Sequence, residues 1–185
     1  MDTFNPVATM AAWEALAAQV HQVPPRVTIA AVILGTQNMI SLVRSLGTIL
    51  GFACTDLDSV VKILSRMPND AAISELDLTP PLKNALERET WLLEFVAAML
   101  SHLLARPGTL KDAAAQAYKE TLAPRHTAFV RFAVFAALHL LPSREAFLLQ
   151  LAGGAAERVP LLPHMLNTFI ADLNAVRTHL EAVIL

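Results

Sequence analysis

Prolines and a glycine pair cut this chain into pieces that carry the same 3.6-residue apolar rhythm, which leaves a helical bundle as the fold it can make. Pro24-Pro25, Pro68, Pro107-Gly108, Pro124, Pro142 and Gly153-Gly154 fall between the periodic segments. There a missing N–H or a freed backbone stops a helix. Apolar–polar alternation of the kind that pairs strands is nearly absent. The pattern predicts helices over 7–21, 26–50, 55–67, 82–105, 109–122, 124–141, 143–152 and 164–184, with Thr55 and Thr109 as N-caps. Residues 71–81 read as a loop with at most one turn, and 153–163 as a linker. The expectation is one all-α domain of seven to eight helices covering 1–185.

Composition narrows what such a bundle is for. Hydrophobic residues make up 55% and charged residues 16%, with mean hydropathy +0.48. Soluble domains average about a quarter charged. Either a segment spans a membrane, or the bundle holds more apolar interior than its own core needs. The clean apolar run from Val27 to Gly35 is far short of the roughly 20 residues a span requires, which favours the second reading. The N-terminal Met1-Asp2-Thr3-Phe4-Asn5-Pro6 lacks a basic stretch before an apolar one, so no secretory signal is expected. The lone Cys54 allows no internal disulfide and no multi-cysteine metal site, and beside Phe52 and Ala53 it reads as a small core residue. A net charge of −2 without a basic run argues against nucleic acid. No Ser/His/Asp spacing, metal-binding pair or phosphate-cradling glycine loop stands out, so neither catalysis nor a cofactor is expected.

Three polar residues interrupt apolar stripes. With the segment from Phe52 to Met67 read as helix, Phe52, Asp56, Val60, Ile63 and Met67 share one stripe, and Asp56 is its only charge. A carboxylate facing an apolar interior is strongly disfavoured unless something pairs with it. The expectation is therefore a buried Asp56 without a partner from its own chain. Asp58 and Lys62 are expected to pair on the opposite face. On helix 82–105, Asn84, Arg88, Trp91, Phe95 and Met99 share a stripe with Arg88 at its polar mouth. Arg88 either binds an anion or packs its stem on Trp91 with its head in water. His126, in the first turn of helix 124–141, is expected to be neutral, because the positive end of the helix dipole disfavours imidazolium. It is either a donor to a ligand or a core histidine bonded to a carbonyl. Together the three make an acceptor, a guanidinium fork and a neutral donor at the edge of an apolar face. A ligand with phosphate, amide, hydroxyl and long acyl chains satisfies all three.

At these residues the chain resembles the glycolipid transfer protein family, in particular its ceramide-1-phosphate transfer branch. Three blocks carry the resemblance. The first is Ser45-Leu46-Gly47-Thr48-Ile49-Leu50-Gly51-Phe52 leading to Thr55-Asp56-Leu57. The second runs from Asn84 to Arg88 and from Trp91 to Phe95. The third holds Ala117-Tyr118, Thr121-Leu122, His126, Val130-Arg131, Ala133-Val134 and Leu141-Pro142-Ser143-Arg144-Glu145-Ala146-Phe147-Leu148. The resemblance implies a two-layer, all-helical sandwich that binds one sphingolipid and moves it between membranes without catalysis. It implies that Asp56 takes the sphingoid amide, that His126 donates to the acyl carbonyl, and that Arg88 takes a phosphate. Leu46, Phe52, Leu92, Phe129, Val130, Ala133 and Val134 are expected to line the acyl-chain pocket.

The chain departs from that branch where a lysine four residues after the aspartate is Val60, and where a second arginine is Asn84, beside Lys83. These three positions are possible headgroup contacts, and the missing cations put the headgroup in question. The alternative is a degenerate member that senses lipid or binds a protein partner without efficient transfer. A carrier of this kind is expected to be a cytoplasmic monomer that touches membranes transiently, with Trp91, Phe129 or Phe4 as docking residues.

Overall fold

The computed structural model describes residues 4–46 and 51–185, the side chains of 51–53 excepted. Among the described residues it is all-α, with eight α-helices and three short 3-10 segments. The helices are α1 (Pro6–Val20), α2 (Ile29–Ser45), α3 (Gly51–Leu64), α4 (Pro80–Ala105), α5 (Leu110–Glu120), α6 (Ala128–Leu138), α7 (Arg144–Leu151) and α8 (Leu162–Ile184). The 3-10 segments are Ile73–Glu75, Ala123–Arg125 and Ala156–Leu161.

The starts of several helices follow from side-chain oxygens placed to accept orphan N–H groups. Asn5, Thr28, Thr127 and Ser143 cap α1, α2, α6 and α7 in this way, and Thr109 forms a capping box with Asp112 on α5. Pro6 and Pro80 sit in the first turns of α1 and α4, where the absent N–H has no partner to lose. The Pro124 region differs from expectation. Pro124 lies in the 3-10 segment, the chain turns extended at His126, and α6 begins two residues later under the Thr127 cap. The final helix starts at Leu162, and a 3-10 segment occupies most of the expected linker. Thr55 lies inside α3, which begins at Gly51, so it is not an N-cap. The end of the expected 26–50 helix falls partly outside the described residues; α2 itself closes at Ser45.

Helix α4 is the central element, packed on α8, α5 and α3, while α1 packs on α8 and α2, and α2 on α3. These contacts close a circuit around one main core that includes Trp13, Met39, Leu86, Leu93, Phe147 and Leu173. Each such side chain contributes about 1.5–3 kcal/mol when fully buried. Helices α1 and α2 approach closely at Gly35, where a Cβ would meet the Trp13 ring at 3.0 Å. A second tie joins α7 to the end of α4. The Arg144 guanidinium donates to the carbonyls of Leu103 (2.6 Å), Arg106 (3.2 Å) and Gly108 (3.4 Å). It thus supplies donors where the last turn of a helix has none and where the dipole favours a cation.

Candidate functional site

The buried face of α3 is Cys54, Leu57, Val60 and Leu64, at steps of three, three and four. Asp56 lies on the flank of that face rather than in it, and its side chain is 51% exposed. It also has a partner. Arg88 Nη1 lies 2.5 Å from Asp56 Oδ1 and donates to Ser59 Oγ at 3.2 Å, while Arg88 Nε donates to the Asn84 carbonyl at 3.2 Å. The expectation of a buried, unpartnered Asp56 is overturned. Of the expected stripe, Val60 is buried, and Met67 falls beyond the end of α3. Asp58 pairs with Arg44 of α2 at 3.1 Å instead of with Lys62. Arg88 spends its head on Asp56, and the guanidinium over Trp91 belongs to Arg125 instead.

His126 is carried into the same place by the extended turn before α6. Its Nδ1 is 3.0 Å from Tyr118 Oη of α5, and the two rings are 5.6 Å apart. Burial lowers the imidazole pKa, and the Asp56 charge works against that effect. The neutral ring thus has a cause other than the one expected, since His126 lies outside the first turn of α6. Burial also raises the Tyr118 phenol, with Arg131 opposing, so the O–H stays in place. The Arg125 guanidinium lies 5.3 Å from the Trp91 ring centroid. Its Nη1 donates to Glu94 Oε2 at 3.0 Å and to the Thr121 carbonyl. Asp56, Ser59, Arg88, Trp91, Glu94, Tyr118, Arg125 and His126 thus form a polar cluster contributed by α3, α4, α5 and the turn before α6.

The other expected contacts divide. Val60 is fully buried and cannot reach a headgroup. Asn84 is exposed and Lys83 half-buried. Leu46 and Val134 are buried, Leu92 and Val130 are half-buried against the core, and Ala133 is half-buried. The Phe52 side chain lies outside the described residues. Phe129 is 81% exposed. It continues into Phe132 and Phe135, also exposed, along the outer side of α6. Phe132 and Phe135 border an open groove of about 400 Å³ with Arg131, Ala136 and His139. Of the other docking residues considered, Phe4 packs against the core, and Trp91 is half-buried beneath Arg125.

The carboxylate buried in an apolar interior is Glu89. It is fully buried, and neither oxygen has a hydrogen-bond partner among the described residues. Burial raises its pKa from 4.5 to about 7. Thr36 of α2 lies close enough to oppose that rise, but its hydroxyl donates to the Val32 carbonyl at 2.8 Å. The signal was present in the sequence. Leu82, Leu86, Leu93, Val96 and Leu100 space at helical intervals around Glu89.

Among the described residues no group of three or more His, Cys, Asp or Glu side chains is placed to hold a metal ion, and no helix is long and apolar enough to cross a membrane. The fold is shared with solved sphingolipid carriers. A mutant of Arabidopsis accelerated-cell-death 11 protein, complexed with C12 ceramide-1-phosphate, superposes with a TM-score of 0.82 at 21% identity, covering 96% of this chain and 93% of that one. Human ceramide-1-phosphate transfer protein, complexed with its 12:0 lipid, superposes with a TM-score of 0.79 at 22% identity, covering 97% and 95%. At these identities the likeness concerns the fold, which is the expected helical sandwich. In sequence, an ACD11 homolog protein of Arabidopsis thaliana is 45% identical over 60 residues, which span 32% of this chain and only 26% of that protein. The family model for glycolipid transfer protein matches residues 27–153, which takes in every residue of the cluster and six of the eight helices among the described residues. The chain belongs to the glycolipid transfer protein family.

Proposed function

We propose that the protein binds a phosphorylated sphingolipid of the ceramide-1-phosphate kind and carries it between membranes without chemical change. The observation that carries this reading is the convergence of Asp56, Arg88 and His126, from distant parts of the chain, on one patch. Solved relatives with the same fold hold ceramide-1-phosphate. Asp56 and Arg88 satisfy each other. The pair is partly exposed, so its net contribution is about 0–1 kcal/mol and a ligand can displace it. The phosphate takes the guanidinium, whose planar fork matches its oxygens. The released carboxylate then accepts the sphingoid amide N–H or hydroxyl. In the tautomer where Tyr118 donates to Nδ1, His126 carries its proton on Nε2 and offers it to the acyl carbonyl. Acyl chains entering among the half-buried residues of α4 and α6 supply the bulk of the affinity, at about 0.8 kcal/mol per CH₂.

Membrane contact is assigned to α6. Phe129, Phe132 and Phe135 present an exposed aromatic side beside the polar cluster, which suits shallow, reversible insertion at a cytoplasmic membrane surface. The sensor reading draws on Val60 and Asn84, where the branch places cations. The two are separated by transfer of fluorescent ceramide-1-phosphate from donor to acceptor vesicles. A carrier speeds transfer, and Asp56→Val abolishes it while the fold survives. A sensor extracts lipid without accelerating transfer. Failure to extract any sphingolipid refutes both.

A further inference from the structure

Resting on the reading above, we infer that Arg125 is a second headgroup cation of this chain, standing in for the positive charges that positions 60 and 84 lack, and that Glu94 competes with the headgroup for it. The Ala123–Arg125 segment places Arg125 directly before His126. On α4, Trp91 lies one turn beyond Arg88, and Glu94 one turn beyond Trp91. Arg125 stacks on Trp91 and pairs with Glu94, so both guanidiniums border the same side of α4.

Each guanidinium is held by a carboxylate, Arg88 by Asp56 and Arg125 by Glu94. The Arg125–Glu94 pair is 34% exposed on both sides, where screening keeps an ion pair weak. A phosphomonoester carries more charge than the carboxylate and offers three oxygens to the fork, so it competes for Arg125. Stacking on the indole orients the planar group; Nη1 is taken by Glu94 and the Thr121 carbonyl, and Nε and Nη2 have no partner among the described residues and are left to donate. A neutral sugar has no charge with which to displace Glu94. Arg125 therefore favours a phosphate headgroup over a glycan.

The discriminating variant is Glu94→Gln. If Arg125 only pins the turn to α4, loss of Glu94 loosens the site and weakens binding. If Glu94 is a competitor for Arg125, its loss strengthens binding. Vesicles of phosphatidylcholine doped with fluorescent ceramide-1-phosphate, or with the matching ceramide, are titrated with wild type, Arg125→Gln, Glu94→Gln and Arg88→Leu, with thermal melting as the fold control. Loss of one charge-assisted contact predicts about tenfold weaker ceramide-1-phosphate binding for Arg125→Gln. Glu94→Gln binds ceramide-1-phosphate several-fold more tightly, and ceramide binding changes less than twofold in both. The inference is overturned if wild type prefers the phosphorylated lipid and Arg88→Leu loses that preference, yet Arg125→Gln leaves it intact or Glu94→Gln weakens it. If wild type does not distinguish the two lipids, the phosphorylated-lipid reading itself fails, and the role of Arg125 goes with it.

Discussion

Glutamine in place of Glu89 should flatten the pH dependence of stability between pH 4.5 and 7. The wild-type carboxyl titrates at about 7 in the folded protein against an ordinary value of 4.5. A raised acid pKa means that the folded state holds its proton more tightly than the unfolded chain does. Below pH 4.5 both states are protonated and nothing is lost. As pH rises from 4.5 to about 7, the unfolded chain releases its proton first, and folding stability falls. Above pH 7 the full difference applies, about 3 kcal/mol at 1.36 kcal/mol per decade. That is a substantial part of the 5–15 kcal/mol typical of a domain. Glutamine keeps the shape and cannot ionise. Urea unfolding of wild type and Glu89→Gln at pH 5 and pH 8 measures the difference while other titrating groups cancel. The variant should gain about 2.5 kcal/mol relative to wild type on going from pH 5 to pH 8. A wild-type-minus-variant difference that stays constant across that range refutes the idea that Glu89 is buried without a partner.

Arg144→Met should destabilise the fold by about 2–3 kcal/mol in urea unfolding, because the carbonyls of Leu103, Arg106 and Gly108 lose a shared charged donor. A loss below 0.5 kcal/mol would count against the role of Arg144 as a tie between α7 and α4. The His126 ring should titrate below 6.5 by proton NMR and be neutral at pH 7. Its depressed pKa contributes stability that is present above pH 6.5 and lost as pH falls through the folded value, so the contribution of His126 measured against His126→Gln should shrink on acidification. Phe132→Asp should weaken association with vesicles several-fold and leave the melting temperature close to wild type, since the ring is exposed and leaves no core cavity. A melting temperature that drops with unchanged vesicle association contradicts that assignment.

The helices were legible because their determinants are local. Apolar residues at 3.6-residue intervals, prolines at the breaks and Thr109 before α5 each act within a turn or two of chain. The turn before α6 was misjudged for the same reason. Pro124 reads as a helix start, yet a competing cap at Thr127 moves that start, and His126 is left on extended backbone. The cluster was legible in membership and misread in state. Asp56 and Arg88 pair, and His126 lies near enough to feel the Asp56 charge, but the isolated buried carboxylate is Glu89. Helical spacing reports which residues share a stripe. It does not report which stripe a neighbouring helix covers, and on α3 the covered one passes through Cys54, Leu57 and Val60.

Sequence alone determined the all-helical class, the surplus of apolar residues and membership of a lipid-carrier family, since periodicity, composition and motif are properties of the chain read in order. Tertiary structure decided which charges are paired. The partners of Asp56 and Arg125 stand 32 and 31 residues away along the chain, and only the packing of α3 and the pre-α6 turn against α4 brings them within hydrogen-bond reach. Packing likewise isolated Glu89 in the core and left the phenylalanines of α6 facing outward. Burial and pairing depend on what other helices place nearby, and no local pattern encodes that.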